Sequence, residues 1–197
     1  MATFDEYLKL GNIGERIVEK YLQNNLGWWT IPSYLYQGDG MAPHIRRAGK
    51  VYIVPDLDCC SEGTRRWVEV KTKHHSPFNR CLGAHVHGIA RRHYRDYVRV
   101  EKETGSHVLL CILEVATGAL LLQGLAFMEA FPCMCSACKS GSRDRCCASI
   151  RDHVYFKRDD FKLLHTFSEL EMLRVRKLFE ELKNEDDRMA HDTSLGN

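Results

Sequence analysis

No apolar run in this chain of 197 residues approaches the roughly 20 residues that a membrane-spanning helix needs. The N-terminal MATFDEYLKL is acidic and lacks the basic and apolar regions of an export signal. These absences argue against a membrane span and predict a cytoplasmic location. Charge of one sign is missing too: 28 Lys and Arg against 26 Asp and Glu leave a net charge of +2. A polyanion would therefore have to be held by local patches. The sequence has no internal repeat and no long low-complexity linker. Its length suits one well-buried core and is short for two, so a single domain over residues 1–197 is expected.

Cysteine, by contrast, is abundant, with nine residues, and without an export signal these are expected as thiols or metal ligands instead of disulfides. Cys133, Cys135, Cys138 and Cys146, followed by Cys147, fall in the segment PCMCSACKSGSRDRCCAS. A C-x-C-x2-C-x7-C arrangement can wrap one tetrahedral ion, and thiolates favour Zn²⁺ or an iron–sulfur cluster over Mg²⁺. Residues 132–149 are expected as a small Cys-rich insertion that binds structural zinc in preference to a cluster; a loop of reduced thiols is the alternative.

The central stretch is VYIVPDLDCCSEGTRRWVEVKTK, residues 51–73. Two apolar runs flank a turn-like segment, the pattern of a β-hairpin. Strand alternation puts Trp67, Glu69, Lys71 and Lys73 on one face and Val68 and Val70 on the other, while Asp56 shares a face with Tyr52, Val54 and Asp58. Asp56 and Glu69 supply hard carboxylate oxygens suited to Mg²⁺ or Mn²⁺. Lys71 beside them can stabilise charge on a phosphate. An E-x-K triplet alone is common on exposed strands. Pro55-Asp56 placed thirteen residues upstream of Glu69 makes the set more specific.

Residues 3–25 read as a helix, with Leu10, Ile13, Ile17, Tyr21 and Leu22 at helical spacing and Gly27 closing it. Glu15 on that helix is either a solvated surface acid or a site residue. WWTIPSYLY, interrupted by Pro32, reads as an edge strand, and QGDGMAPHIRRAGK as a polar loop. GIARRHYRDYVRVEKETG reads as a helix ended by Gly105, with Tyr94, Tyr97 and Val98 as its packed stripe and Arg91, Arg92, Arg95 and Arg99 as a basic ridge. HVLLCILEV and LLLQGLAFMEAF read as core strands. HVYFKRDDFKLLHTF returns to strand alternation, and a last helix is capped by Ser168 and Glu171.

Pro55, Asp56, Glu69, Val70 and Lys71 fill the signature of the PD-(D/E)XK nuclease superfamily, which this chain resembles. That superfamily includes restriction endonucleases, archaeal Holliday junction resolvases and phage exonucleases. Glu15 matches its acidic residue on the first helix, and the helix and strand from His87 to Leu113 resemble those after the active-site lysine. The resemblance covers roughly three quarters of the chain. It implies an α/β fold, a restriction-endonuclease-like mixed β-sheet flanked by helices. It also implies a Mg²⁺- or Mn²⁺-dependent nuclease that hydrolyses phosphodiester bonds in DNA with a metal-activated water, leaving RNA open. Asp56, Glu69 and the Val70 carbonyl would hold the metal, joined by Glu15 through water, and Lys71 would face the scissile phosphate. Lys73, Arg91, Arg92, Arg95 and Arg99 would contact nucleic acid, and a homodimer would supply two sites. Two other readings stay open: a silent nucleic-acid-binding module of the same fold, and an interaction or redox-sensing protein worked by the cysteine knuckle.

Overall fold

The structure is a computed structural model, and it describes residues 4–33, 43–132 and 153–177. In chain order these form α1 (Phe4–Leu26), β1 (Trp29–Pro32), β2 (His44–Arg47), β3 (Lys50–Ile53), β4 (Leu57–Ser61), β5 (Thr64–Lys73), β6 (Phe78–Asn79) and β7 (Ala84–Ala90). There follow α2 (Arg91–Thr104), β8 (His107–Glu114), β9 (Ala119–Gly124), β10 (Phe131–Pro132), β11 (His153–Lys157) and β12 (Lys162–Thr166). A last helix, α3, covers residues 169–177. No described helix is long and apolar enough to cross a membrane.

The central sheet has six strands in the order β1-β4-β5-β8-β9-β12. Only β5 and β8 run parallel; their neighbours pair antiparallel. A parallel pair cannot be joined by a hairpin, and here the connection passes through β6, β7 and α2. A second sheet, β10-β11-β7-β6, lies over one face of the first, and β2-β3 forms a separate two-stranded ribbon. The architecture is mixed α/β, with helices on both faces of a mostly antiparallel sheet.

Alternation along β5 divides the core. Val68 and Val70 point into a cluster with Val18 and Leu22 of α1 and with Met172 and Val175 of α3. Trp67 points the other way, into a cluster with Tyr97 and Val100 of α2 and with Val154 and Phe156 of β11. Both faces are covered, so β8 is apolar from Val108 to Leu113, as a doubly buried strand requires. The capping box of α3 is present: Ser168 Oγ donates to Glu171 Oε2 at 2.6 Å and Ser168 N–H to the same oxygen at 2.7 Å. Gly27 and Gly105 close their helices at φ 67° and 69°.

Several sequence expectations need correction. The first strand of the predicted hairpin is not continuous. β3 ends at Ile53 and pairs with β2, and the chain bends at Pro55-Asp56 before β4 begins. The hairpin is β4-β5, closed by Glu62-Gly63 with both residues at positive φ. Residues 44–50 are a ribbon and not a loop; its turn is Ala48-Gly49, also at positive φ, without the Asn-Gly or Asp-Gly that signals such turns. The helix expected from Gly88 starts at Arg91, because residues 86–90 of β7 pair with β11. On α2 the buried residues are Tyr97 and Val100, while Val98 is 44% exposed. Trp29 is 80% exposed on β1, which is an edge strand as its Pro32 led one to expect.

One polar cluster lies inside the fold. Glu114, at the end of β8, is 1% exposed. It accepts two hydrogen bonds from Arg158 at 2.9 Å, one from Thr117 at 3.0 Å, and lies 2.9 Å from Nε2 of the buried His87 on β7. A buried carboxylate is tolerated only with such partners, and these tie the second sheet to the central one.

Candidate active site

β5 has ten residues and β4 five, so the two stay paired only from Ser61/Thr64 to Leu57/Val68. From Glu69 onward the β4 edge of β5 is bare, and Asp56 stands there in place of a strand. Its Oδ2 accepts the Val70 N–H at 2.8 Å, and its backbone carbonyl accepts the Ser33 N–H at 2.8 Å. The N–H and C=O of one strand residue face the same edge, so the Val70 carbonyl also faces Asp56. The register that pairs Leu57 with Val68 puts Asp56 opposite Glu69, on the face that Trp67 shares.

Glu69 is 1% exposed. The Lys71 ammonium lies on its Oε1 and the Tyr97 hydroxyl is turned toward the carboxylate, but no other described residue gives either carboxylate oxygen a hydrogen bond. Burial, followed by Glu69, pushes the Asp56 carboxyl well above the ordinary carboxylate value despite Lys71 and the Val70 N–H. Burial also raises Glu15, and Glu69 and Glu19 add to this while Lys71 opposes it. Burial pulls Lys71 down, but Glu69 and Asp56 outweigh it and hold the ammonium above its usual value. Three crowded acids with one lysine form a site short of positive charge, and an under-satisfied buried carboxylate is the position a cation would fill. Among the described residues no three His, Cys, Asp or Glu side chains are gathered closely enough to hold an ion by themselves. Two carboxylates and a carbonyl fit Mg²⁺, which keeps several waters.

Glu15 reaches this edge because α1 crosses β5 closely. A Cβ on Gly14 would lie 1.8 Å from Thr72 Oγ1 and 3.1 Å from its Cβ. Gly14→Ala would gain about 1 kcal/mol of helix propensity in an isolated helix. Here it is expected to lose about 1–3 kcal/mol through overpacking, with Thr72→Ala restoring part of the loss; thermal unfolding of the three variants checks this. Glu15 also lines a cleft of about 380 Å³ with Asn12, Arg16, Glu19, Asp56 and Leu57.

α2 closes the opposite side. Tyr97 is buried and turns its hydroxyl toward Glu69, and with Asp56 nearby its ionisation is pushed well up, burial being the main cause. The His93 ring lies 5.9 Å from that of Tyr97. Burial lowers His93, with Glu69 opposing and Lys71 assisting. The sequence reads Tyr97 as packing and His93 as a hydrogen-bonded structural or substrate-contacting histidine. Their i, i+4 spacing on the helix after E-x-K was the available signal. Asp58 is taken by Arg65 at 2.7 and 2.8 Å. Lys73 is half-buried, and burial followed by Lys71 lowers it. Arg92, Arg95 and Arg99 are exposed along α2, and Arg91 is half-buried. Cys133, Cys135, Cys138 and Cys146 lie outside the described residues.

Comparison with known proteins gives little. No family model matches, and no curated protein matches. The structure is similar to that of Hjc, a Holliday junction resolvase from the archaeal hyperthermophile Archaeoglobus fulgidus, with a TM-score of 0.48 and 12% sequence identity over 77% of this chain and 91% of that one.

Proposed function

We propose that this chain is a metal-dependent nuclease that hydrolyses phosphodiester bonds in DNA, with a restriction-endonuclease-like domain over residues 1–197. The observation that carries this reading is the under-satisfied, buried Glu69 opposite Asp56 and beside Lys71, at the bare edge of β5. Asp56, Glu69 and the Val70 carbonyl would hold the cation, and Glu15 would join through water. A bound Mg²⁺ or Mn²⁺ supplies Lewis acidity and a water of lowered pKa. Lys71, whose ammonium lies on Glu69, would face the scissile phosphate. Lys73, Arg91, Arg92, Arg95 and Arg99 steer and hold the backbone. DNA as the polymer and a homodimer rest on the motif's resemblance, and a zinc or iron–sulfur knuckle on the spacing of Cys133, Cys135, Cys138 and Cys146; a cytoplasmic location is proposed with them.

The test is cleavage of labelled single-stranded, duplex and branched DNA with Mg²⁺, Mn²⁺ or chelator. Lys71→Ala and Asp56→Ala, each shown to be folded, are expected to lose on the order of 10²–10³ in rate, the scale of one preorganised electrostatic partner. A parent inert with every metal and substrate that still binds DNA would leave a silent binding module.

A further inference from the structure

One face of α1 carries Leu8, Asn12, Glu15, Arg16 and Glu19, which recur every three or four positions. All five line the cleft of about 380 Å³, and Pro32, Pro43, Asp56 and Leu57 line it with them. Asp56 and Glu15 therefore belong both to the candidate site and to the wall of this cleft.

The lining is of two kinds. Leu8, Pro32, Pro43 and Leu57 are apolar, and Leu8 is left 49% exposed by the fold. Asn12 and Arg16 are polar and exposed. Arg16 is the one basic residue among those that line the cleft, and among the described residues it makes no ion pair and no hydrogen bond. Glu19 beside it is engaged elsewhere, accepting from Thr30 at 3.1 Å and from Gln23 at 3.4 Å. Helical side chains lean toward the N-terminus, which carries the guanidinium back over Asn12. An uncommitted guanidinium next to an acid of the metal site is placed to hold a phosphate adjoining the one that reacts.

Size limits what can enter. About 380 Å³ lies near the lower end of the roughly 300–1,000 Å³ that ligand sites span, room for one nucleotide and not for a base pair. Duplex DNA is read by elements that project into its grooves, whereas a concave cleft takes a base only after it has left the stack. Apolar side chains suit the faces of such a base, and an asparagine amide suits its hydrogen-bonding edge.

We infer that this cleft is a site for a single unpaired nucleotide adjoining the cut, with the base against Leu8 and the two prolines and the phosphate on Arg16. The position of the cut rests on the nuclease reading; the nucleotide site does not. Binding is therefore measured without cleavage, by titrating a deoxynucleoside 5′-monophosphate into the full chain in Mg²⁺ and following chemical shifts, with inorganic phosphate and the unphosphorylated nucleoside as the other two probes. The monophosphate is expected to bind more tightly than either. Arg16→Ala should weaken it about tenfold or more, the scale of a lost charged hydrogen bond, with Arg16→Lys recovering part. Leu8→Ala should narrow the preference for nucleotide over phosphate. Both side chains are exposed, so thermal unfolding of the variants stays at the parent value.

A parent that holds the monophosphate no better than inorganic phosphate would overturn the site, as would affinities that ignore both alanine variants. Cleavage is scored separately, on a labelled strand presented single, fully paired, or paired with one bulged nucleotide. The metal-loaded parent is expected to cut beside unpaired nucleotides at least about tenfold faster than within the paired region. Equal rates at paired and unpaired positions would remove the nucleotide site and keep the nuclease reading. Nucleotide binding through Arg16 with no cleavage of any strand would do the reverse.

Discussion

Asp56→Asn is expected to lower cleavage by about three orders of magnitude while making the metal-free protein more stable than the parent. The two effects have one cause. Asp56 is crowded by Glu69 and Glu15, and burial and the like charge of Glu69 push its carboxyl upward. An acid whose pKa is raised on folding contributes stability below its ordinary value, 3.8, and that contribution is lost as pH rises through the folded pKa. At neutral pH the metal-free parent therefore lacks stability that it has in acid. Asparagine removes the charge and its amide oxygen can still accept the Val70 N–H. The gain is about 1 kcal/mol, or about 2–4 °C in thermal midpoint for a chain of this size. Magnesium is expected to reverse the order, because on the proposed reading it would bind the folded parent and not the unfolded chain. Unfolding curves of both proteins in chelator and in Mg²⁺ check this. A variant no more stable than the parent in chelator would mean that the acids are not in electrostatic conflict.

That conflict was partly legible in the sequence. Pro55-Asp56 and Glu69-Val70-Lys71 announced the two carboxylates and the lysine, because strand alternation is a local property. What stayed hidden was the reason Asp56 reaches the Val70 N–H: β4 stops, and nothing local in LDCCS says that its partner goes on for five more residues. The ribbon was hidden for a similar reason. Its turn uses Ala48 at positive φ, a conformation that alanine rarely takes, so IRRAGK read as a loop. β7 was merged with α2 because AHVHGIA carries weak alternation, and only its pairing with β11 reveals it as a strand. Glu15 could be assigned to a helix but not to a face of the site. Its approach depends on Gly14 meeting Thr72, a contact made across 58 residues of sequence.

The second large effect lies away from the chemistry. Glu114→Ala is expected to destabilise the protein by about 3–5 kcal/mol, as breaking a buried charge pair from one side does. It strands the buried His87 and removes both hydrogen bonds of Arg158. In the parent, hydrogen bonds from His87, Arg158 and Thr117 more than offset burial and hold Glu114 well below the ordinary carboxylate range. A depressed folded pKa gives stability that is present above the unfolded value, 4.5, and is lost as pH falls. The parent is therefore expected to weaken on acidification below about pH 4.5 more steeply than the variant. Denaturant unfolding from pH 3 to pH 7 measures both the offset and its slope. Parallel curves for the two proteins would show that the carboxylate is not carrying the link between the sheets.

The Glu62-Gly63 turn is the part of the hairpin farthest from the edge where Asp56 stands, yet it sets the register there. With both residues at positive φ the turn fixes Ser61 against Thr64, and every pair down to Leu57 and Val68 follows. Asp56 meets Glu69 only because that count closes. One residue added to or removed from the turn would slide the ladder and carry the aspartate to the wrong side chain. Surface turns usually tolerate changes in length. In this protein the tolerance is absent at a tip remote from Asp56 and Glu69, so the turn can vary in composition but not in length.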